Sequence, residues 1–411
     1  MGLCIRNALL VDPTQNLMSR GDLYISNGTI AAIRTADLSC GEIGGEAWEE
    51  YDALGALVTP GLIDLHVHFR DPGFTYKEDM HTGCAAAAAS GFTTVCMMPN
   101  LKPVTDTPEL VRELAQRSEG VRALVLGSIT LGQKGSEVVD VEGMKAAGAC
   151  ALSEDGRSVA DPAVMLRAME RCARIGLPIF DHTEDDALAG TAAGEAIMAA
   201  RDMLLAAESG CPIHLCHISA KLSLDAIRAA KKAGLAVTAE TGPHYFTLDK
   251  SLATHGHFKM NPPLRTKADV AAVIEAIQDG TLDVIATDHA PHSAEEKLCG
   301  YEKAMNGIIG LETSFPVSYT TLVRGGIVTL PKLVELMSSN AAKILGDSQR
   351  GTLRVGAAAD VAVFDVETPW IIDPEQFRSK GRNTPFAGWE VYGKCLMTVC
   401  GGKVIYRESE N

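Results

Sequence analysis

Several features that mark particular classes of protein are missing from this chain of 411 residues. No apolar run is long enough to cross a bilayer, and the eleven cysteines include no Cys-x-x-Cys pair. Aromatic residues make up 5% of the chain, and the net charge of −15 excludes general binding to nucleic acid or to an anionic membrane surface. Because the cysteines are scattered among apolar segments, we expect reduced thiols and a cytoplasmic location.

A repeated pattern of strand, loop and helix extends from about residue 56 to residue 340. Eight strands alternating with helices predict an α/β protein with a (β/α)8 TIM-type barrel, whose active site lies at the C-terminal ends of the strands. The predicted strands are Leu62–His68, Thr93–Met98, Ala123–Ile129, Cys150–Ser153, Pro178–His182, Ile213–His217, Ala236–Glu240 and Asp283–Thr287. The alternative is an open doubly wound sheet, but no Gly-x-Gly-x-x-Gly turn follows the first strand.

The two ends of the chain lack this repeated pattern and contain short strand-like segments. These pieces are Leu3–Val11, Asp22–Ser26, Thr29–Arg34, Ala359–Phe364 and Leu396–Tyr406. Neither end is large enough to bury a good core alone. We therefore expect residues 1–55 and 352–411 to form one small β-sandwich-like domain, beside a barrel domain spanning residues 56–351.

The first strand of the repeated region ends in a His-x-His motif, His66-Val67-His68. Side chains alternate across a strand, so both imidazoles project to one face, where they can clamp a metal ion. Arg70 lies one step further along that face and could receive an anionic substrate. An isolated His-x-His fits two histidines in a half-buried strand equally well, so the other strand ends must decide.

Acidic and imidazole residues recur at the ends of four further predicted strands. They are Asp155, His182, His217 and Asp288. In a parallel barrel all four would meet His66 and His68 at the same rim. Asp155 alone would fit a turn, but the repetition over five strand ends predicts a metal site.

Strand parity separates these candidates from neighbouring residues. His214 and His217 have opposite parity, so we expect only His217, nearer the strand's end, to face the barrel axis and His214 to pack outward. By the same argument Asp181 and His289 are expected to be structural. The remaining histidines considered, His81, His255 and His257, are expected to face solvent.

These motifs resemble the amidohydrolase superfamily, and within it the bacterial dihydroorotases. The resemblance covers nearly the whole chain. It rests on the segments Pro60–Gly73, Gly91–Asn100, Ser153–Gly156, Cys216–Ser219, Met260–Arg265, Ile285–His292 and Asn383–Gly388.

The resemblance implies a site with two zinc ions per chain. One ion would be held by His66, His68 and Asp288, the other by His182 and His217, and Asp155 would bridge them. Hydantoinase-like relatives usually bridge the metals with a carbamylated lysine on strand four. The strand Cys150–Ser153 contains no lysine, so an aspartate bridge fits the dihydroorotase branch.

The implied reaction is the reversible hydrolysis of (S)-dihydroorotate to N-carbamoyl-L-aspartate, a step of de novo pyrimidine biosynthesis. Asp288 would take a proton from the attacking water and pass it to the leaving ring nitrogen. The substrate would contact His68, Arg70, Asn100, Asn261, His292, Asn306 and Gly307. A homodimer and an association with aspartate transcarbamoylase are also implied.

Two segments depart from the family pattern. Asp186–Gly210 is shorter and richer in alanine than the usual segment between strands five and six. Met305-Asn306-Gly307 stands where the family usually has Pro-Phe-Gly.

Two other functions remain open. A cyclic amidase for hydantoin, dihydropyrimidine or allantoin would share the fold, but such uncharged rings give Arg70 no carboxylate partner. A non-catalytic scaffold for aspartate transcarbamoylase would be expected to have lost metal ligands, and all six positions are filled here.

Overall fold

The computed structural model describes residues 2–45 and 47–408 of the chain. Strands from both ends of the chain form one sheet, and the strands between them form a parallel barrel. Within the described residues, no helix is long and apolar enough to span a membrane.

Nine strands from the two chain ends are joined in a mostly antiparallel sheet. They are β1 Gly2–Asp12, β2 Leu17–Ser26, β3 Thr29–Thr35, β4 Ser39–Gly41, β5 Trp48–Asp52, β6 Leu57–Pro60, β15 Val361–Asp365, β18 Lys394–Cys400 and β19 Lys403–Arg407. Strand β6 pairs with β1 on one side and with β15 on the other, so it joins the two ends of the chain. The predicted domain boundary assigned these residues to the barrel domain, but the structure has β6 in this sheet.

The last part of this sheet corrects one predicted strand. The pattern over Leu396–Tyr406 indicated a single strand, but the structure has β18 and β19 as an antiparallel hairpin. Gly401 and Gly402 have φ angles of 56° and 78°, a left-handed conformation that lets the chain reverse between the two strands.

The barrel contains eight parallel strands paired in chain order. They are β7 Leu62–Val67, β8 Phe92–Met97, β9 Arg122–Ser128, β10 Ala151–Ser153, β11 Ile179–Asp181, β12 Ile213–Leu215, β13 Val237–Thr241 and β14 Val284–Ile285. A parallel bridge between Val67 and His289 brings the last strand's end against the first. The predicted barrel is confirmed. A separate two-stranded ribbon is formed by β16 Trp370–Ile371 and β17 Glu390–Val391.

Helices surround the barrel and bury their apolar faces against its strands. They are α1 Met80–Ala89, α2 Pro108–Ala115, α3 Val141–Ala147, α4 Pro162–Ile175, α5 Ala192–Ser209, α6 Lys221–Lys232, α7 Pro243–Thr247, α8 Lys267–Asp279, α9 Ala294–Lys297, α10 Leu311–Ser318, α11 Leu330–Val334 and α12 Asn340–Ile344. Capping and turn-forming residues determine where these helices begin and end, and α4 is an example. Asp161 caps its first turn, Pro162 opens it, and the left-handed Gly176 ends it.

The alanine-rich segment Asp186–Gly210 folds mainly as helix α5. The buried carboxylate of Glu195 on this helix accepts hydrogen bonds from the backbone N–H groups of Ser219 and Ala220. It also pairs with Arg265 at 3.1 Å. The shortened segment therefore supports the loop that follows β12, at the rim where the predicted ligands lie.

Candidate metal centre and substrate cavity

The C-terminal ends of β7, β10 and β14, with the loops that follow them, bring four of the predicted ligands together. Nε2 of His66 lies 3.2 Å from Oδ1 of Asp155 and 3.6 Å from Oδ1 of Asp288. Nε2 of His68 lies 3.4 Å from Oδ2 of Asp155 and 3.2 Å from Oδ1 of Asp288. Two atoms that bind one tetrahedral zinc ion at about 2.1 Å are about 3.4 Å apart, so these distances fit shared coordination.

The other two predicted ligands approach the same aspartate from β11 and β12. Oδ1 of Asp155 is 3.4 Å from Nδ1 of His182 and 3.5 Å from Nε2 of His217. These two ring nitrogens are 2.8 Å apart. Asp155 therefore lies between the two groups of ligands, in the position that a bridging carboxylate needs.

The donor atoms at the centre of this cluster fit a cation. Nε2 of His66 and Oδ1 of Asp155 are buried and have no hydrogen-bond partner within the described ranges. Leaving such groups unpaired is costly, whereas a metal ion would satisfy their lone pairs. The groups that could hold a metal include His66 with His68 and Asp288, and His66 with Asp155 and His217.

Hydrogen bonds fix which nitrogen of three ligand rings faces the cluster. Each ring donates its other N–H to a side-chain oxygen and leaves the inward nitrogen with a free lone pair. The contacts are His66 Nδ1 to Glu240 Oε1 at 2.9 Å, His68 Nδ1 to Asn100 Oδ1 at 2.9 Å, and His182 Nε2 to Glu184 Oε2 at 3.3 Å.

The aspartates of the cluster are held in the carboxylate form. Burial works against a charge on Asp155, but the facing imidazoles, led by His66, hold the pKa of this carboxyl well below its usual value. Burial also opposes a charge on Asp288, and its hydrogen bond with His68 outweighs that effect and lowers the pKa. Both groups can therefore act as anionic ligands, and Asp288 can accept a proton.

Three residues of the site have a left-handed backbone. The φ angles are 60° at Arg70, 38° at His217 and 48° at Asp288. Such conformations cost a residue other than glycine about 1–3 kcal/mol and persist only where the surrounding structure imposes them. Their concentration at this rim indicates that the fold positions these side chains for function.

A cavity of about 600 Å³ opens onto the cluster. All seven residues predicted to contact substrate lie on its wall, namely His68, Arg70, Asn100, Asn261, His292, Asn306 and Gly307. Lys77, which the sequence did not single out, also lines this cavity. Gly307 leaves no room for a side chain, since a Cβ atom there would lie 2.8 Å from Cβ of Ala290.

Arg70 on this wall offers a half-buried cation that has no partner among the described residues, whereas Arg157, which also lines the cavity, is exposed to solvent. No hydrogen bond or ion pair to its guanidinium occurs within residues 2–45 and 47–408, and its Nε is buried and unpaired. Burial lowers its pKa, which shows that the charge is poorly solvated. A half-buried, unpaired guanidinium facing a cavity is suited to bind a carboxylate through two parallel hydrogen bonds.

Two other predicted substrate contacts are engaged by their neighbours. Asn100 supports His68 and donates from Nδ2 to Oδ2 of Asp155 at 3.3 Å. His292 donates from Nε2 to the carbonyl oxygen of Asn306 at 2.7 Å, and its Nδ1 lies 3.2 Å from Nζ of Lys77. Burial, together with the neighbouring Arg70 and Lys77, lowers the pKa of His292 to about 3, so its ring is neutral.

The structure corrects the placement of His214. It was expected to pack outward, but its Nε2 lies 3.1 Å from Oε2 of Glu240, and its ring contacts Phe180. Strand β12 ends at Leu215, and the left-handed His217 breaks the alternation on which the parity argument relied. Both histidines therefore face the interior, in successive layers.

The sequence reasoning also missed Glu240, which lies beneath the cluster. Its carboxylate joins His66 to His214 and is fully buried. Burial opposes its charge, but the two imidazoles lower its pKa, so it is an anion. Its position at the end of the predicted strand Ala236–Glu240 was a signal, because a carboxylate at such a rim position resembles Asp155 and Asp288.

Comparison with known proteins assigns the chain to a family. Residues 57–405 match the amidohydrolase family. The chain belongs to this family. The dihydroorotase of Geobacter metallireducens is 43% identical to this amidohydrolase over 431 aligned positions, which cover 99% of the chain and 100% of that protein. The dihydroorotase of Geobacillus thermodenitrificans is 44% identical, with 99% of each chain covered.

Solved structures of other family members share the fold of this amidohydrolase. The L-hydantoinase (dihydropyrimidinase) from Arthrobacter aurescens superposes with a TM-score of 0.89 at 26% identity, covering 99% of this chain and 96% of that chain. A dihydropyrimidinase from Brevibacillus agri gives a TM-score of 0.87 at 22% identity, covering 99% and 95%. This second likeness concerns the fold alone.

The amidohydrolase is expected to lose metal affinity when Glu240 is replaced by Gln. The substitution keeps the size of the side chain but removes the anion that orients and polarises His66. Such supporting contacts are typically worth a factor of about 10–100 in metal affinity. The rate of metal loss to a chromophoric chelator measures the effect.

A matched control for this experiment is Glu312→Gln. Glu312 is a half-buried carboxylate that accepts hydrogen bonds from the backbone of Arg378 and Ser379 and lies outside the cluster. Equal rates of metal loss from Glu240→Gln and the wild-type protein would contradict the role of Glu240.

Proposed function

We propose that this amidohydrolase is a dihydroorotase, which interconverts (S)-dihydroorotate and N-carbamoyl-L-aspartate in de novo pyrimidine biosynthesis. The observation that carries the proposal is the half-buried Arg70, whose guanidinium has no partner in the described part of the chain, on the wall of the cavity that opens onto the metal cluster. Dihydroorotate carries a ring carboxylate for this cation, whereas hydantoin and dihydrouracil do not. The dihydroorotases at 43% and 44% identity over nearly the full chain support the same function.

We infer that the cluster holds two zinc ions bridged by Asp155. Imidazole and carboxylate donors suit zinc. Three buried carboxylates lie in or against the cluster, those of Asp155, Asp288 and Glu240. With one divalent cation, the three carboxylates would leave the cluster with a net negative charge. With two divalent cations the net charge is one positive, which favours the binding of an anionic reactant. This balance supports two metal ions per chain, held as His66, His68 and Asp288 on one side and His182 and His217 on the other.

The chain's own groups orient the substrate and move its proton. Zinc ions bound at the cluster would supply an acidified water and polarise the ring carbonyl. Arg70 holds the substrate carboxylate and thereby presents the ring amide on the far side of the ring CH2 group to the cluster. Asp288, a carboxylate at the cavity wall, accepts the water's proton and delivers it to the ring nitrogen as the carbon–nitrogen bond breaks. Ring closure uses the same groups in reverse.

The second candidate is a cyclic amidase for uncharged rings. The hydantoinase and dihydropyrimidinase structures favour it through their fold. The position of Arg70 argues against it, since an uncharged ring would leave this half-buried guanidinium unpaired. A scaffold without activity is disfavoured because each of the six proposed ligands has a donor atom within 3.5 Å of a donor atom of another.

Removal of the metal should abolish dihydroorotate turnover, and zinc should restore it. We expect the activity of chelator-treated protein to rise with added zinc and to level off at two ions per chain, with elemental analysis confirming the ratio. A plateau at one ion would contradict the two-metal site. Zinc-loaded protein that does not open dihydroorotate would contradict the function itself.

The remaining expectations rest on the family resemblance and on cysteine usage. We propose a cytoplasmic homodimer, in line with eleven cysteines that form no disulfide and are mostly buried. An association with aspartate transcarbamoylase is proposed on the resemblance alone. Sedimentation of the purified protein, alone and mixed with such a partner, tests both assemblies.

A further inference from the structure

Lys297, the last residue of α9, is a buried cation outside the metal cluster. Its side chain is almost inaccessible, with 1% exposed. No carboxylate lies within ion-pair distance of its Nζ among the residues that the structure describes, and burial lowers its pKa to about 7. A buried ammonium without an anion is costly, so its retention calls for a specific role.

The ammonium is satisfied entirely by backbone carbonyls. Nζ donates to the carbonyl oxygens of Lys259 at 2.9 Å, Met305 at 2.8 Å and Gly307 at 2.7 Å. These three acceptors match the three N–H donors of a lysine. An apolar side chain of similar size has no N–H donors, so it could not bind the three carbonyl oxygens.

The three carbonyls belong to two segments that form one wall of the substrate cavity. Lys259 and Asn261 lie on the first segment, and Met305, Asn306 and Gly307 form the second. The N–H of Gly307 also donates to the carbonyl of Lys259 at 3.0 Å, which ties the segments together. Lys297 lies behind this wall and connects both parts of it.

The anchoring of Met305 determines where the next amide points. In a planar trans peptide the C=O and the following N–H point in opposite directions. With the Met305 carbonyl on Lys297, the N–H of Asn306 is turned away from the ammonium. This N–H has no hydrogen-bond partner within the described part of the chain, and Asn306 lines the cavity.

We propose that Lys297 is a positioning residue that holds the Met305–Gly307 backbone so that the Asn306 N–H donates to the ring of the bound substrate. The acceptor is an oxygen atom of the bound cyclic amide. The identity of that ring rests on the proposed function. The side chain of residue 306 does not take part, which explains how Asn can stand where the family usually has Phe.

Lys297→Met in the zinc-loaded protein tests this role. Losing one well-placed hydrogen bond to substrate should raise KM for dihydroorotate about tenfold, with a smaller change in kcat and an unchanged metal content. The dissociation constant of carbamoyl-aspartate should rise by a similar factor. Lys303→Met is the matched control, because Lys303 is exposed on the same loop and should leave KM unchanged.

A second variant covers the case in which Lys297→Met does not fold. Asn306→Pro removes the proposed donor itself and should also raise KM about tenfold. An unchanged KM in Asn306→Pro would overturn the proposal. An unchanged KM in Lys297→Met would overturn it as well, and a lower melting temperature of that variant would then show that Lys297 has a structural role only. The wild-type protein separates the two claims, since its failure to open dihydroorotate counts against the proposed function alone.

Discussion

Asp288→Asn is expected to lower kcat for dihydroorotate by about 10⁴-fold while the protein keeps most of its metal. The amide is nearly isosteric and retains an oxygen toward the cluster, but it cannot accept a proton at neutral pH. General base and acid catalysis contributes about 10²–10⁴-fold in enzymes, and here one group performs both steps. Steady-state rates together with elemental analysis of the same sample measure the two effects.

Asp283→Asn provides the matched control at the other end of the same strand. Asp283 precedes β14, pairs with Lys231 at 2.6 Å and lies away from the cavity. Its replacement should leave kcat within a few-fold of the wild-type value. If Asp288→Asn kept near-normal activity with its metal bound, the proton-transfer role assigned to Asp288 would be wrong.

Arg70→Met is expected to remove the preference for a charged ring. The variant should lose about 10²–10³-fold in kcat/KM for dihydroorotate, because the substrate carboxylate would enter a buried site without its cation. Activity on dihydrouracil, the same ring without the carboxylate, should change by no more than a few-fold. The measurement is kcat/KM on both rings with protein of equal metal content.

Arg70→Lys sharpens the same experiment. Lysine keeps the charge but cannot form two parallel hydrogen bonds with one carboxylate, so we expect only partial recovery of dihydroorotate activity. A parallel loss on both rings in Arg70→Met would show that Arg70 supports the fold or the cluster rather than the substrate carboxylate.

The metal cluster could be predicted because a parallel barrel brings all strand ends to one rim. His66 and His68 share a strand face, and Asp155 and Asp288 follow apolar strands of their own, so topology alone brings them together. The eight barrel strands were recognisable for a related reason. Strands buried on both faces are short apolar runs that stand out between amphipathic helices.

The errors and omissions share a different physical origin. His214 and His217 both face inward because the left-handed backbone at His217 breaks the alternation between them, which a strand pattern cannot foresee. Lys77 and Lys297 act through contacts between loops far apart in the chain, and no local pattern encodes those contacts. The hairpin at Gly401 was missed because apolar periodicity continued across a two-glycine turn.

The most direct test of the proposed function is the ratio of kcat/KM for dihydroorotate to that for dihydrouracil, measured on the wild-type protein with its metal sites filled. The two substrates differ only in the carboxylate that Arg70 is proposed to bind. We expect the ratio to favour dihydroorotate by about 10³-fold, in keeping with the cost of leaving a buried charge unpaired. Equal values, or a preference for dihydrouracil, would contradict the assignment and favour a cyclic amidase for uncharged rings.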